Sequence, residues 1–201
     1  MTRLFTVFLF TVLMVGCASR PPSHEDGPQP GQWDAQESTL EALERWQLVG
    51  KVGLRLPNDS TSANLDWHQG AAYYRMMLTG PFGSGRSVLE GRSDEVTLTT
   101  GEGRFEAETP EALMQEQLGW SLPVSSLHYW VRGLPAPDRA SQREMDDRGF
   151  PAELDQDGWT IEYRDWTLVE DLWLPRRMVM TQDDVRATLV VNEWEPQVDN
   201  D

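Results

Sequence analysis

The chain has 201 residues, which is enough for one ordinary domain and short of two. Its 33 acidic and 17 basic side chains give a net charge of -16, which argues against nucleic acid and anionic membrane surfaces as electrostatic partners. A single cysteine excludes an internal disulfide, and one cysteine with three histidines argues against a structural zinc site.

Residues 1–16 have the features of a secretory signal peptide. Arg3 provides the basic start, and residues 4–15 form an apolar run that is too short to span a bilayer. The only cysteine, Cys17, follows directly, as in a bacterial lipoprotein signal, where it becomes the acylated first residue of the mature protein. The alternative is an ordinary secretory signal with an incidental cysteine. Ala18 follows Cys17, whereas aspartate there usually retains a lipoprotein in the inner membrane, so the predicted location is the outer membrane.

Residues 17–36 are assigned to the lipidated amino terminus and a flexible tether, because they are rich in Pro, Gly, Ser, Asp and Gln. The globular domain is placed at residues 37–201. It opens with a short amphipathic helix, predicted over 38–46 from apolar residues at helical spacing.

Alternation of apolar and polar residues then predicts a series of strands. These lie at 47–56, 63–68, 74–78, 87–90, 96–100 and 104–107. Turns rich in Gly, Asn and Asp separate the strands, which is typical of an antiparallel meander.

Two helices interrupt the strands. Thr109 is a suitable N-cap for a helix that ends at Gly119, and a second helix follows Pro123 with Gly133 at its C-terminus. Strands resume at 153–156, 159–163, 177–181 and 185–194. About ten strands with two helices predict a mostly β fold with helices: a strongly curved antiparallel sheet or a partly open barrel, whose concave face the helices cover.

A barrel of this size is either filled by its own side chains or encloses an apolar ligand cavity, and composition alone does not decide between the two. Large inward-facing apolar residues are the candidates to line such a cavity. They are Trp67, Met76, Leu78, Leu98, Trp130, Met178 and Met180. For each of these residues taken alone, an ordinary packed core is the favoured interpretation.

The sequence shows no pattern that indicates catalysis. Ser125, Ser126 and His128 lie on a predicted helix without a Gly-x-Ser-x-Gly elbow or an acidic partner. The acidic clusters at 144–147 and 183–184 lack the spacing of a calcium loop and are interpreted as solvated loops. We therefore predict no catalytic residue, no metal and no cofactor.

One loop, at residues 80–85, places a large aromatic residue among turn residues. Pro81 fixes the chain and Gly83 permits unusual dihedral angles, so the loop can project Phe82 outward. The alternative is a Phe82 side chain that folds back onto the core. If Phe82 is exposed, it is expected to contact lipid or a partner.

Five segments carry distinctive motifs: WQLVGKV at 46–52, LTGPFG at 78–83, GWSLPV at 119–124, YWVRGLP at 129–135 and QDGWTIEY at 156–163. In their order and spacing they resemble the LolB family of outer-membrane lipoprotein receptors. The resemblance covers essentially the whole mature domain. It implies an open barrel with a helical lid, as in the related periplasmic carrier LolA.

The resemblance also implies a function. Such a receptor accepts acylated lipoproteins from LolA and inserts them into the inner leaflet of the outer membrane, holding the acyl chains in an apolar cavity without nucleotide hydrolysis. Pro81, Phe82 and Gly83 would form its membrane-insertion loop, where the family commonly has leucine in place of Phe82. The chain is expected to act as a monomer on the periplasmic face of the outer membrane. The alternatives are a lipid-binding or structural lipoprotein without a transfer role, and a periplasmic hydrolase.

Overall fold

The computed structural model describes residues 33–83, 85–92, 95–118 and 121–197, with the backbone alone at Phe82 and Leu118. The signal peptide, Cys17, Ala18 and most of the proposed tether therefore lie outside the described residues.

Within these ranges the chain forms helices and antiparallel strands. The α-helices are α1 Trp33–Ala42, α2 Pro110–Leu118 and α3 Val124–Trp130. The strands are β1 Trp46–Arg55, β2 Ser60–Gln69, β3 Tyr73–Thr79, β4 Arg86–Arg92, β5 Glu95–Thr100, β6 Gly103–Ala107, β7 Ser141–Met145, β8 Pro151–Gln156, β9 Trp159–Val169, β10 Leu172–Gln182 and β11 Val185–Pro196. A short 3₁₀ helix, Pro81–Gly83, joins β3 to β4.

All of these strands belong to one antiparallel sheet in the order β6-β5-β4-β3-β2-β1-β11-β10-β9-β8-β7. The outermost strands, β6 and β7, do not pair with each other, so the sheet curves without closing. This arrangement confirms the predicted open barrel.

The pairing of β1 with β11 joins the first half of the sheet to the second. A bulge between Val49 and Gly50 interrupts this ladder, and bulges of this kind bend and twist a sheet. At Gly50 a side chain would collide with the carbonyl oxygen of Val190. Glycine therefore allows the two backbones to approach closely at the centre of the curve.

Helix α1 and a cluster of aromatic side chains fill the concave face beside β7 to β10. Trp33 packs edge-on against Trp166 at a centroid distance of 5.1 Å, and Phe150 stacks on Trp166 at 5.3 Å. The Gln36 side chain both accepts from the backbone N–H of Trp173 and donates to its carbonyl, at 2.8 and 3.1 Å. One half of the barrel is thus filled by the protein itself.

A buried arginine connects α1 to the segment after α3. Arg132 is 2 % exposed, and its guanidinium donates to the carbonyl oxygens of Leu40 and Leu43 at the end of α1 and to that of His128. Desolvation lowers the pKa of Arg132 to about 10, and the three carbonyl oxygens replace part of the hydration that the buried guanidinium loses. Gly133, with φ of 82°, then ends the helical turn.

Several element boundaries differ from those predicted. Helix α1 begins at Trp33 rather than at residue 38. The proposed end of the tether, after Gln36, therefore falls inside this helix. Trp33 and Gln36 are both buried. Strand β7 was not predicted, because the acidic cluster at 144–147, which it overlaps, was interpreted as a loop.

Candidate functional site

The other half of the barrel contains an apolar cavity of about 440 Å³. It lies between the concave face of the sheet and the helices α2 and α3. Most of its wall consists of buried aliphatic and methionine side chains. Those from the sheet are Leu54, Leu65, Met76, Leu89, Leu98, Met180 and Leu189, and those from α2, α3 and their connection are Met114, Leu122, Val124 and Leu127. The volume is within the range of about 300 to 1,000 Å³ that is usual for small-molecule sites.

One end of the cavity opens to solvent, and its mouth is polar. Asp59, Thr61 and Ser62 border it on the side of β2, and Gly80 and Gly85 border it on the side of the loop between β3 and β4. Asp59, Thr61, Ser62 and Gly85 are exposed, in contrast to the buried residues deeper in the cavity. An apolar ligand would therefore enter between these two borders.

A tryptophan cluster supports the wall of the cavity. Trp67 contributes to the lining, and Trp46 packs against it at a centroid distance of 4.9 Å. Trp46 in turn contacts Trp194 edge-on at 5.3 Å, and the indole N–H of Trp67 donates to the Gln69 side chain at 3.2 Å. Large rings at van der Waals contact fix this part of the wall.

The structure brings five of the seven candidate residues together. Trp67, Met76, Leu78, Leu98 and Met180 line the cavity. The other two lie in the packed core instead. The indole of Trp130 donates to Gln156 at 2.8 Å, and Met178 is 1 % exposed.

The helix residues that line the cavity differ from the one that was predicted, Trp130. Met114 on α2, and Val124 and Leu127 on α3, line it from the lid side. Val124 and Leu127 are three residues apart, which places them on one face of α3. That spacing indicates a buried face, but it does not show whether the face packs against side chains or covers a space.

Polar side chains fasten the lid. The Glu111 carboxylate accepts from the backbone N–H and the hydroxyl of Ser125, at 2.8 and 3.2 Å, and so connects α2 to the start of α3. The Ser126 hydroxyl lies 3.3 Å from the Asp157 carboxylate and accepts from Arg139 at 3.2 Å. Ser125 thus connects the two lid helices, and Ser126 connects α3 to Asp157, between β8 and β9.

His128, on the same helix, lies beside Arg132. Burial and the positive charge of Arg132 lower the pKa of His128 to about 4. The folded protein therefore holds this imidazole neutral at neutral pH, whereas the unfolded chain protonates it below about 6.5.

We expect acid to destabilise the lid region through His128. Between pH 6.5 and 4 the unfolded state binds the additional proton, so stability falls as the pH drops through this window, by up to about 3 kcal/mol. Urea unfolding at pH 7.0 and pH 4.5 measures the loss. His128→Gln should reduce the difference between the two pH values, and an equal difference in both proteins would contradict the assignment.

The 3₁₀ helix lies next to the cavity mouth. The N–H of Gly80 donates to Gly85 at 3.1 Å, and the N–H of Gly83 donates to Gly80 at 3.1 Å, which closes the loop on itself. Gly83 and Gly85 have φ of 78° and 62°, where glycine is favoured. Pro81 and Gly83 are exposed on either side of Phe82.

In the described ranges, no helix combines the length and apolar character needed to cross a membrane. Nor do the histidine, cysteine and carboxylate side chains of this part of the chain come together in a group of three or more that could hold a metal ion.

This unclosed antiparallel sheet with its helices is similar to solved structures of very different sequence. A LolA superfamily protein from Nitrosomonas europaea aligns with a TM-score of 0.54 at 9 % identity, over 85 % of this chain and 94 % of the other. A DUF1329 family protein from Desulfovibrio piger aligns with a TM-score of 0.55 at 5 % identity, over 87 % and 96 % of the two chains. These likenesses show the fold.

Sequence comparison defines the family. Residues 44–194 match the family model described as outer membrane lipoprotein LolB. The outer-membrane lipoprotein LolB of Chromohalobacter salexigens is 56 % identical over 96 % of this chain and 90 % of its own length. The LolB of Pseudomonas fluorescens strain Pf0-1 is 46 % identical over 97 % of both chains. The chain belongs to the LolB family and is an outer-membrane lipoprotein.

Proposed function

We propose that this chain is a receptor that accepts lipoproteins from the periplasmic carrier LolA and inserts them into the inner leaflet of the outer membrane. The observation that carries the proposal is the apolar cavity, open at one end beside the loop 80–85. Family membership supports the same role. None of the findings favours the alternative of a structural lipoprotein without a transfer role.

The energetics of the cargo explain why a cavity is needed. Three acyl chains of about fifteen methylene groups each, at about 0.8 kcal/mol per group, correspond to about 36 kcal/mol of gross transfer free energy. A free lipoprotein therefore does not cross water unaided. A wall of leucine, methionine and tryptophan side chains replaces the membrane interior for the part of the cargo that the cavity encloses.

Handover needs only a difference in affinity. If the receptor holds acyl chains more tightly than the carrier does, and the membrane more tightly than the receptor, lipoprotein moves in one direction without a nucleotide. The fold that the chain shares with the LolA superfamily supports this, because two similar cavities can exchange the same ligand.

The loop Pro81–Gly83 is proposed to face the bilayer during insertion. It stands at the cavity mouth, and the residues on both sides of Phe82 are exposed. An apolar side chain at this position would enter the membrane next to the point where acyl chains leave the cavity.

Cys17 is proposed to anchor the receptor, after cleavage behind residue 16, and Ala18 to direct it to the outer membrane. We expect mass spectrometry of the mature protein, purified from membranes, to show an acylated Cys17 at its amino terminus. Cys17→Ser should shift the protein to the soluble periplasmic fraction. A mature chain that begins elsewhere, or carries no acyl group, would contradict the anchor.

The transfer reaction itself tests the proposed function. LolA loaded with a radiolabelled lipoprotein is mixed with the receptor and then with liposomes of outer-membrane phospholipid, and the label is followed through both steps. We expect it to move first to the receptor and then to the liposomes without ATP. Label that remains on LolA would refute the proposal.

A further inference from the structure

We propose that residues 60–63 of β2 bind the peptide segment that follows the acylated cysteine of a lipoprotein, by adding it to the sheet as a short extra strand. This inference rests on the proposed function, since it concerns how the same cavity receives its cargo. It assigns to the receptor a contact with the polypeptide in addition to the acyl chains.

The ladders of β2 have different lengths on its two sides. Its pairing with β1 begins at Ser60, whereas its pairing with β3 begins only at Asn64, opposite Thr79. Beyond Thr79 the chain leaves the sheet at Gly80, and the Pro81–Gly83 helix flanks β2 without extending the ladder. Among the residues that the structure describes, 60–63 therefore pair with a strand on one side only.

A half-paired antiparallel strand has a defined hydrogen-bonding capacity. Alternate residues direct both their N–H and their C=O away from the paired side. Leu56 N–H donates to the Asp59 carbonyl, so Ser60 and Ser62 are the residues of this segment that face β3. The Ser60 N–H already donates to the Asp59 carboxylate at 2.7 Å, which leaves the Ser62 N–H and the carbonyl oxygens of Ser60 and Ser62 for an added strand. Residues 60–62 are exposed, which leaves this edge accessible. An extended peptide can add to such an edge through main-chain hydrogen bonds.

The position of the edge identifies the occupant. Thr61, Ser62 and Ala63 line the cavity at its mouth, opposite Gly80 and Gly85. In a lipoprotein, the acyl chains and the peptide are joined through one cysteine. When the acyl chains occupy the cavity, the peptide must leave through this mouth and pass the free edge.

Main-chain recognition also suits the range of cargo. Hydrogen bonds to N–H and C=O groups do not depend on the side chains of the peptide, so different lipoproteins can bind in the same way. The side chains at the border are small and polar, with Thr61 and Ser62 on β2 and Ser87 across the mouth. They leave room for varied residues in the cargo.

Backbone methylation of the cargo tests the proposal without altering the receptor. The probe is a tripalmitoylated cysteine followed by six polar, uncharged residues, compared with variants that carry one N-methyl group at each position in turn. Affinities for the full-length receptor in mild detergent are measured by competition. Because every peptide carries the same acyl group, partitioning into detergent affects all of them equally.

We expect the losses to follow a period of two along the first four residues. Each methyl group that removes a hydrogen bond to β2 should lower the affinity about 2- to 10-fold, and the positions between them should have little effect. A methyl group at the sixth residue, beyond the reach of a four-residue edge, is the matched control. Hydrogen exchange of the Ser62 amide should slow when the unmethylated peptide binds.

Two results would overturn the proposal. Equal affinities across the methylated series would show that the peptide backbone makes no ladder. An alternating loss without protection of the Ser62 amide would place the ladder on another edge. Tripalmitoyl cysteine without a peptide tests the cavity alone. If it binds while the methylated series shows no alternation, only the peptide contact is wrong. If it does not bind, the proposed function is wrong.

Discussion

Phe82→Glu should leave the fold and the uptake of lipoprotein from LolA nearly unchanged, and should block insertion into the membrane. The residues on both sides of Phe82 are exposed, and exposed loop positions contribute little to stability. A charged side chain costs about 2.5 to 3.5 kcal/mol to place in hydrocarbon, so insertion should slow on the order of 100-fold. The melting temperature, transfer from carrier to receptor and transfer from receptor to liposomes are measured on the same protein.

Two controls make this prediction specific. Phe82→Leu keeps a large apolar side chain and should insert lipoprotein at close to the original rate. His68→Glu places the same new charge at an exposed position of β2, and should also leave insertion unchanged. If Phe82→Glu unfolds the protein, Phe82 belongs to the core. If that variant inserts lipoprotein normally, another surface faces the membrane.

Leu78→Glu should prevent uptake of acyl chains while the barrel stays folded. Leu78 lines the cavity and is only partly buried, so a carboxylate there reaches water in the empty protein. When an acyl chain enters, that carboxylate must lose its hydration without a partner, which is strongly unfavourable. We expect the affinity for a fluorescent fatty acid, and the transfer from LolA, to fall about 100-fold.

His68→Glu again provides the matched comparison, because it puts a carboxylate on the opposite face of the same sheet. Uptake by this variant should equal that of the unmodified protein, and circular dichroism should show the same fold for both. Acyl binding that survives Leu78→Glu would mean that the cavity is not the acyl site.

Strand positions could be predicted well, because alternation with a period of two directly reflects which side chains face the core. Leu65 and Trp67 on β2 are buried, whereas Asn64 and His68 on either side of them are exposed, as the pattern indicated. The end of α3 near Gly133 could be predicted equally well, because helices often end at a residue with positive φ and glycine is the usual residue there.

The start of the domain was harder to predict, because composition and periodicity disagree there. Pro, Gly and Ser around Trp33 favour a tether. However, Trp33, Gln36, Leu40 and Leu43 are three or four residues apart, and all four are buried. This helical spacing was the signal that could have placed the start of the helix at Trp33. It was hard to recognise, because one of the four residues is a glutamine. Its burial depends on hydrogen bonds to the backbone of Trp173, which is distant in the sequence.

The cavity could not be deduced from the sequence for a different reason. Met178 and Met180 lie on the same face of β10, yet only Met180 lines the cavity. Tyr163 pairs with Met178 across the ladder, in the half of the barrel that α1 and the aromatic cluster fill. Whether an inward side chain meets another side chain or an open space depends on where α1 and the lid settle, which is a property of the assembled fold.

Trp33 and Gln36 belong to the packed core although they lie at the start of the first helix. Insertions between the proposed anchor at Cys17 and Trp33 would change the length of that connection without replacing either residue. Loss of Trp33 or Gln36 would instead uncover Trp166 and the backbone of Trp173. The length of the connection is therefore separable from the stability of the barrel, whereas the first turn of α1 is not.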